Sequence, residues 1–435
     1  MTRVALALTL VLASTAFAAG GEVPVVRQVL SNGMTVIVRE DPGVGVVAVS
    51  LQARAGSKFE TEATAGITNF VQRLLLRGTQ KRTALALADA ADEIGGTLDA
   101  SGEVESAEVR GAAIARQWEP LLALIAEVVL EPTFPAQEVE RERSLLLGQL
   151  QTRSDLPLSR AIDTALRDVY GPHPYAWPAL GRRESVERLT REALAAHYRT
   201  MYRADRMTLA ISGNVPRTRV IAAAERLFRR VPVVAEAGRA SDVVPAPRGE
   251  RRVVERDVNQ AQIVVGFLAP PLADDDYAAA RVLGAVLGGG MSSRMFAELR
   301  DRRGLAYSVG VLPTAPRTGP ALFAAYLGTA PSNADAALTA MLAEVARMRA
   351  EPIEARELER AKAYLLGTLA MDRRTSARLA WYLAFYDLIG GGWDWPERFT
   401  RAVQAVTAAD VTRVAARYLV QPTIVVVRPS AGTVR

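Results

Sequence analysis

An α+β fold built from two copies of one domain is the architecture this sequence predicts, and three observations carry it. Stretches of strand period and helix period occur in blocks rather than in strict alternation. A helical pattern that begins at Gln137 recurs at Arg356, an offset of 219 residues. Between the copies lies VPVVAEAGRASDVVPAPRGER, Val231 to Arg251, rich in Pro, Ala and Gly and without a sustained period.

The elements follow in order. In VRQVLSNGMTVIVRE the apolar positions alternate on both sides of Asn32-Gly33, which predicts a hairpin closed by a two-residue turn. Val46 to Ala53 reads as a further strand. From Thr64 the period changes, because Ile67, Phe70, Val71, Leu74 and Leu75 fall on one face of an amphipathic helix, which Gly78 closes. A second helix is expected from Thr83 to Ile94, stopped by Gly95-Gly96, then two strands within Thr97 to Ile114. Long helices flank Pro132 to Pro135.

The internal match then becomes specific. QEVERERSLLLGQL at Gln137 to Leu150 aligns without a gap to RELERAKAYLLGTL at Arg356 to Leu369. A helix followed by a strand at Leu189 to Ser212 is echoed at Val406 to Val427. One match could arise by chance among helices rich in Arg, Glu and Leu, whereas two in the same order predict a duplication. The expected domains are residues 19–230 and 252–435, joined by a linker at 231–251.

With 435 residues and 49% hydrophobic content, the chain can bury large cores. Its first residues place Arg3 before an apolar run and end in Ala16-Phe17-Ala18, a pattern expected of a signal peptide over 1–18. The run from Val4 to Ala19 is shorter than the ~20 residues of a membrane span. No later stretch is apolar enough for one, so the expectation is an exported chain, periplasmic or secreted, with no stable transmembrane segment after cleavage. Absence of Cys excludes disulfides and thiolate metal sites. The net charge of +6 comes from Arg scattered among Asp and Glu, so no nucleic-acid partner is expected.

On the helix near Thr64, Asn69, Gln72 and Arg73 share a polar face by their i, i+3, i+4 spacing. AGITNFVQRLLLRGT resembles the segment of the pitrilysin/insulinase and mitochondrial-processing-peptidase type of zinc metallopeptidase that carries the inverted motif H-x-x-E-H and a later Gly-Thr. The resemblance continues through the hairpin, GGTLDASGEVES, HPYAWPALG and GGGMSSRMFAELRDRRGLAYSVG, so it covers nearly the whole mature chain. It implies that each domain is a largely antiparallel sheet packed against helices, the two together forming half of a clam-like chamber.

In that family the two His and a later Glu hold zinc, and the motif Glu is the general base. The resemblance places Asn69 and Arg73 at the His positions, Gln72 at the base and Gln149 at the third ligand, so all four are replaced. Apart from any resemblance, zinc catalysis needs thiolate, imidazole or carboxylate ligands. With only His173 and His197, 24 positions apart, and no Cys, no ordinary His-based protease site or Ser-His-Asp triad can be assembled. Structural or surface roles are expected for both His. No metal or cofactor is expected on this chain, with zinc belonging to a partner.

Active members of the family also use an Arg and a Tyr seven positions apart, and the matching residues are Arg300 and Tyr307. Both are hydrogen-bond donors suited to a peptide carbonyl or an oxyanion. The bland alternative has Arg300 closing a helix and Tyr307 packing a strand. The strand Leu98 to Ser106 corresponds to the family's substrate-facing edge, on which Glu103, Glu105 and Glu108 could either select basic peptides or form a solvated face. Gly288-Gly289-Gly290 lacks the end of a phosphate loop and reads as a turn.

The resemblance therefore implies a non-catalytic subunit of a heteromeric zinc peptidase, with a zinc-bearing relative as heterodimer partner and peptides as substrates. Two other functions fit the same fold: a catalytically inactive envelope scaffold and a peptide-binding protein.

Overall fold

The computed structural model describes residues 23–233, 246, 249–312 and 314–430. The expected signal peptide and most of the expected linker lie outside the described residues. The first half comprises β1 (Val25–Val29), β2 (Thr35–Glu40), β3 (Val46–Ala53), α1 (Ile67–Leu75), α2 (Ala84–Glu93), β4 (Thr97–Gly102), β5 (Ala107–Ile114), α3 (Trp118–Leu130), α4 (Ala136–Asp155), α5 (Pro157–Tyr170), α6 (Arg183–Val186), α7 (Arg191–Met201), β6 (Met207–Gly213) and α8 (Arg217–Phe228). The second comprises β7 (Arg251–Glu255), β8 (Ala261–Ala269), α9 (Tyr277–Gly288), β9 (Ser308–Leu312), β10 (Ala321–Thr329), α10 (Ala334–Ala350), α11 (Ala355–Asp372), α12 (Ser376–Leu388), α13 (Trp395–Ala405), α14 (Ala408–Tyr418) and β11 (Thr423–Arg428).

The two sheets repeat one topology, as a duplicated α+β fold requires. The first runs β1-β2-β6-β3-β5-β4 and the second β7-β11-β8-β10-β9. In each, one parallel pair, β2 with β6 and β7 with β11, precedes a run of antiparallel pairs. Among the described residues, β1 is the one strand without a counterpart in the second sheet.

Each sheet is covered by its own helices on one face and by a borrowed helix on the other. α1, α3 and α8 pack on the first sheet, and α9, α10 and α14 on the second. The opposite face of the first sheet takes α12, where Ala380, Leu383 and Ala384 meet Ile37 and Ala210. The second sheet takes α5, where Ala161 and Ala165 meet Val264, Val425 and Val427. Small residues on the borrowed helices let them lie close to strands whose outward side chains are apolar. Buried on both faces, β6 and β8 read as nearly continuous apolar runs.

Two local expectations need correction. Val29 pairs with Thr35, Leu30 N–H donates to Met34 O at 2.8 Å, and Gly33 N–H donates to Leu30 O at 3.0 Å. The hairpin therefore closes through three residues, Ser31-Asn32-Gly33, with Gly33 left-handed at φ +88°. Asn32 is claimed by a tertiary bond from its Nδ2 to Phe228 O at 2.8 Å. Second, α1 starts at Ile67 rather than Thr64, because Gly66 is left-handed at φ +92°. A Cβ there would lie 2.6 Å from Leu180 O, so two backbone segments cross where only Gly fits.

Candidate functional site

The site positions sit on two helices that touch, α1 and α4. On α1, Ile67, Phe70, Val71, Leu74 and Leu75 are buried in the first core, which turns Asn69 and Arg73 the other way. Arg73 Nε donates to Asn69 Oδ1 at 2.9 Å, one helical turn back. Its Nη2 donates to Gln149 Oε1 on α4. Asn69 Nδ2 in turn reaches Gly102 O at the end of β4, at 3.4 Å.

Beneath this cluster lies Glu142, buried, two turns before Gln149 on α4. Arg77 Nε contacts it at 2.7 Å and Arg73 Nη1 at 3.6 Å. The guanidinium of Arg73 thus fills the centre of the cluster, a built-in monocation held by two amides and a carboxylate. Gln72 departs from the group. It is completely buried, its Nε2 donates to Tyr202 Oη, and its Oε1 has no partner.

These residues do not fit zinc. Asn69, Gln72, Gln149 and Arg73 offer three neutral amides and one permanent cation, and a dication beside Arg73 would meet direct repulsion. Among the described residues no group of three or more His, Cys, Asp and Glu gathers as a metal-ligating set.

The two histidines lie elsewhere. His173 is buried in the HPYAWP loop, where Nδ1 accepts the Tyr175 N–H at 3.1 Å and the ring meets that of Tyr175 edge-on. His197 on α7 hydrogen-bonds Thr68 Oγ1 at 2.9 Å, one residue before Asn69. Burial, helped by Arg206, lowers its pKa to about 4. Sequence reasoning missed Glu60, whose buried carboxylate accepts the N–H groups of Gly66 at 2.7 Å and Thr68 at 2.9 Å and so caps α1. Burial nevertheless raises its pKa to about 7. Spacing gave no signal for it, because the chain between Glu60 and α1 is irregular.

Asn69 also opens onto a cleft of about 460 Å³ between the halves, lined in addition by Glu103, Tyr170, Arg317 and Leu322. β4 forms the edge of the first sheet beside it. The acidic residues expected on this edge divide. Glu108 is buried, bonded to Ser50 Oγ at 2.6 Å. Glu105 is buried too, accepting Thr318 N–H at 3.0 Å and the Tyr175 hydroxyl. Only Glu103 reaches the cleft, so neither a three-carboxylate basic-peptide selector nor a solvated acidic face is present.

Arg300 lies in a π-helical turn, Phe296–Arg302, its guanidinium 4.8 Å from the Phe296 ring centroid. Gly304, left-handed at φ +61°, turns the chain towards β9. Tyr307 then donates its backbone N–H to Gly328 O at 2.9 Å while its side chain is 76% exposed. A Tyr that packed a strand would not stand in solvent. Neither residue lines the cleft at Asn69.

A two-sheet α/β chain with a processing-peptidase-like helix pair, α1 and α4, defines a class that comparison makes specific. Residues 35–181 match the model described as Insulinase (Peptidase family M16), and residues 188–365 match the one described as Peptidase M16 inactive domain. The chain belongs to the M16 peptidase family. Asn69, Gln72, Arg73 and Gln149 lie in the first of these stretches, and Arg300 and Tyr307 in the second.

The chain is 28% identical over 390 residues to an uncharacterized zinc protease of Rickettsia bellii, covering 89% of this chain and 93% of that one. It is 33% identical over 289 residues to one from Mycobacterium tuberculosis, 65% of each. Its fold is shared with a peptidase M16 inactive domain from Pseudomonas fluorescens, TM-score 0.85, 24% identity, covering 94% and 98% of the two chains. A protease from Helicobacter pylori gives TM-score 0.87 at 20% identity, covering 93% and 99%.

Proposed function

We propose that this chain is the non-catalytic subunit of a heteromeric zinc peptidase, a pseudopeptidase whose partner is a zinc-bearing relative. The observation that carries the reading is the Arg73 guanidinium seated between Asn69 and Gln149, where the family holds its metal. Arg300 and Tyr307 support it from the other half, since both are exposed and neither makes an ion pair or side-chain hydrogen bond among the described residues. In the complex they would donate to the peptide carbonyl, or to the oxyanion formed from it, across the chamber shared with the partner. The pattern of residues 1–18 supports an exported, periplasmic or secreted setting.

The test is co-purification of the tagged chain from its native cells, with partner identification and zinc quantification, followed by reconstitution. A stoichiometric, zinc-containing H-x-x-E-H relative, and peptidase activity that needs both chains, is the expected result. A zinc-free chain that comes alone or with unrelated envelope proteins would replace this reading with the scaffold or peptide-binding one.

A further inference from the structure

A cavity of about 640 Å³ lies beside the Arg73 cluster, between the end of α4, α5 and residues 171–184. Its charges do not cancel. Arg153 is held by Asp163 through two bonds at 2.9 and 2.6 Å. Arg182 is held by Glu62 and, at 3.6 Å, by Glu184, and Arg183 by Gln151 at 2.9 Å and Glu187 at 3.4 Å. Glu60 turns its carboxylate to the start of α1.

Two guanidinium groups are left over. Arg160 bonds only Ser154 Oγ, at 2.9 Å, and Arg167 has no ion pair or side-chain hydrogen bond among the described residues. They stand seven residues apart on α5, two turns and about 10 Å along the axis. Arg256, also without a carboxylate partner among the described residues, adds to the positive field at Arg160 without lining the cavity. Asp163 offsets part of the charge at Arg160 but is bonded to Arg153, and the remaining excess of like charge favours an anionic ligand.

The spacing favours two anionic groups over one compact ion. In an extended chain, side chains two residues apart lie on one face about 7 Å apart, a spacing that two long Arg side chains rooted about 10 Å apart can reach by converging. Carboxylates at that spacing meet two Arg forks separately, each fork able to take one in bidentate geometry. The cavity also shares a wall with the cleft at Asn69, because Arg153, Trp177 and Pro178 line both.

We propose that this cavity is a binding site for an acidic peptide segment, with Arg160 and Arg167 taking two of its carboxylates. The choice of a peptide rests on the reading of the chain as a peptide-handling subunit, and the cationic site itself does not.

The experiment measures fluorescence anisotropy of a labelled extended peptide with alternating Glu, against its Gln counterpart, on the isolated full chain at low salt. Saturable binding of the Glu peptide, weakened at least about tenfold in Arg160→Gln/Arg167→Gln and by added salt, is expected. Arg349→Gln/Arg401→Gln, which removes two exposed charges elsewhere, should leave binding unchanged. The single Arg160→Gln and Arg167→Gln variants, checked for cooperative melting, serve if the double variant does not fold. Equal affinity for the Glu and Gln peptides, or an equal loss in the control variant, overturns the proposal. So does inorganic phosphate competing at concentrations equal to the peptide, which would assign the site to a single compact anion. Because no partner is present, these outcomes leave the proposed heteromeric function untouched.

Discussion

Asp168 and Asp387 are 219 residues apart, the spacing of the repeated helical pattern, and each anchors a borrowed helix to the opposite half. Asp168, near the end of α5, takes Arg252 of β7 through two bonds at 2.7 and 2.9 Å. Asp387, near the end of α12, takes Arg27 of β1 at 2.8 and 3.3 Å. The Asp positions repeat with the duplication, whereas their Arg partners lie on non-equivalent strands, β1 and β7, and neither half buries both faces of its sheet without the other.

Removing either Arg strands a largely buried carboxylate. Arg252→Ala and Arg27→Ala should each destabilise the chain by about 1–3 kcal/mol, the Arg being half exposed in both pairs. If the halves depend on each other, denaturant melts followed by probes in either half will coincide in both variants. Two separated transitions would show halves that fold independently.

At the Arg73 cluster, Arg73→Ala leaves Asn69 and Gln149 without their common donor and leaves Glu142 to Arg77 alone. A loss of about 1–2 kcal/mol in a urea melt is expected, because most of the buried charge stays paired. The wild-type chain should melt at the same temperature with and without a metal chelator. A site occupied at a hundred times its Kd would instead contribute about 2.7 kcal/mol.

Much of this cluster was legible in the sequence, and the reason is local geometry. Asn69 and Arg73 are one turn apart on a helix whose apolar stripe is unambiguous, so their contact follows from periodicity. Gln149 came only from the family resemblance, since nothing local ties α4 to α1. Glu142 was readable in principle, being two turns from Gln149 on the same helix. The crossing of α5 and α12 to the opposite sheets was not legible, because an apolar face specifies that a helix is buried and not which sheet buries it. The hairpin turn was misread for a similar reason, as Asn32 serves Phe228, 196 residues away.

Arg300 and Tyr307 should behave differently from every residue above. Both are exposed, so Arg300→Ala and Tyr307→Phe should alter stability by less than about 0.5 kcal/mol. In the reconstituted peptidase, loss of a donor to the reacting carbonyl should lower turnover by about 10²–10³ with cooperative melting unchanged. Unchanged turnover in both variants would remove their proposed role.

The pH dependence of stability tests the buried pair at the start of α1. Glu60 and His197 are linked through Thr68, whose N–H donates to the carboxylate and whose hydroxyl pairs with the ring. Glu60 has its pKa raised by burial from 4.5 to about 7, so between those values the folded chain keeps a proton that the unfolded chain releases. Its contribution is fully present at low pH and is lost as pH rises through that window. His197 has its pKa lowered from 6.5 to about 4, so between those values the unfolded chain binds the extra proton. Its contribution is present above about pH 6.5 and is lost as pH falls. Each acts with a slope approaching about 1.4 kcal/mol per pH unit, and from about pH 4.5 to 6.5 the two oppose each other. Glu60→Gln should therefore expose the histidine slope, with stability rising with pH across this range relative to wild type. His197→Gln should expose the carboxylate slope, with stability falling as pH rises towards 7. Parallel curves for both variants and wild type, read from urea melts at half-unit intervals, would show that neither group titrates as its burial requires.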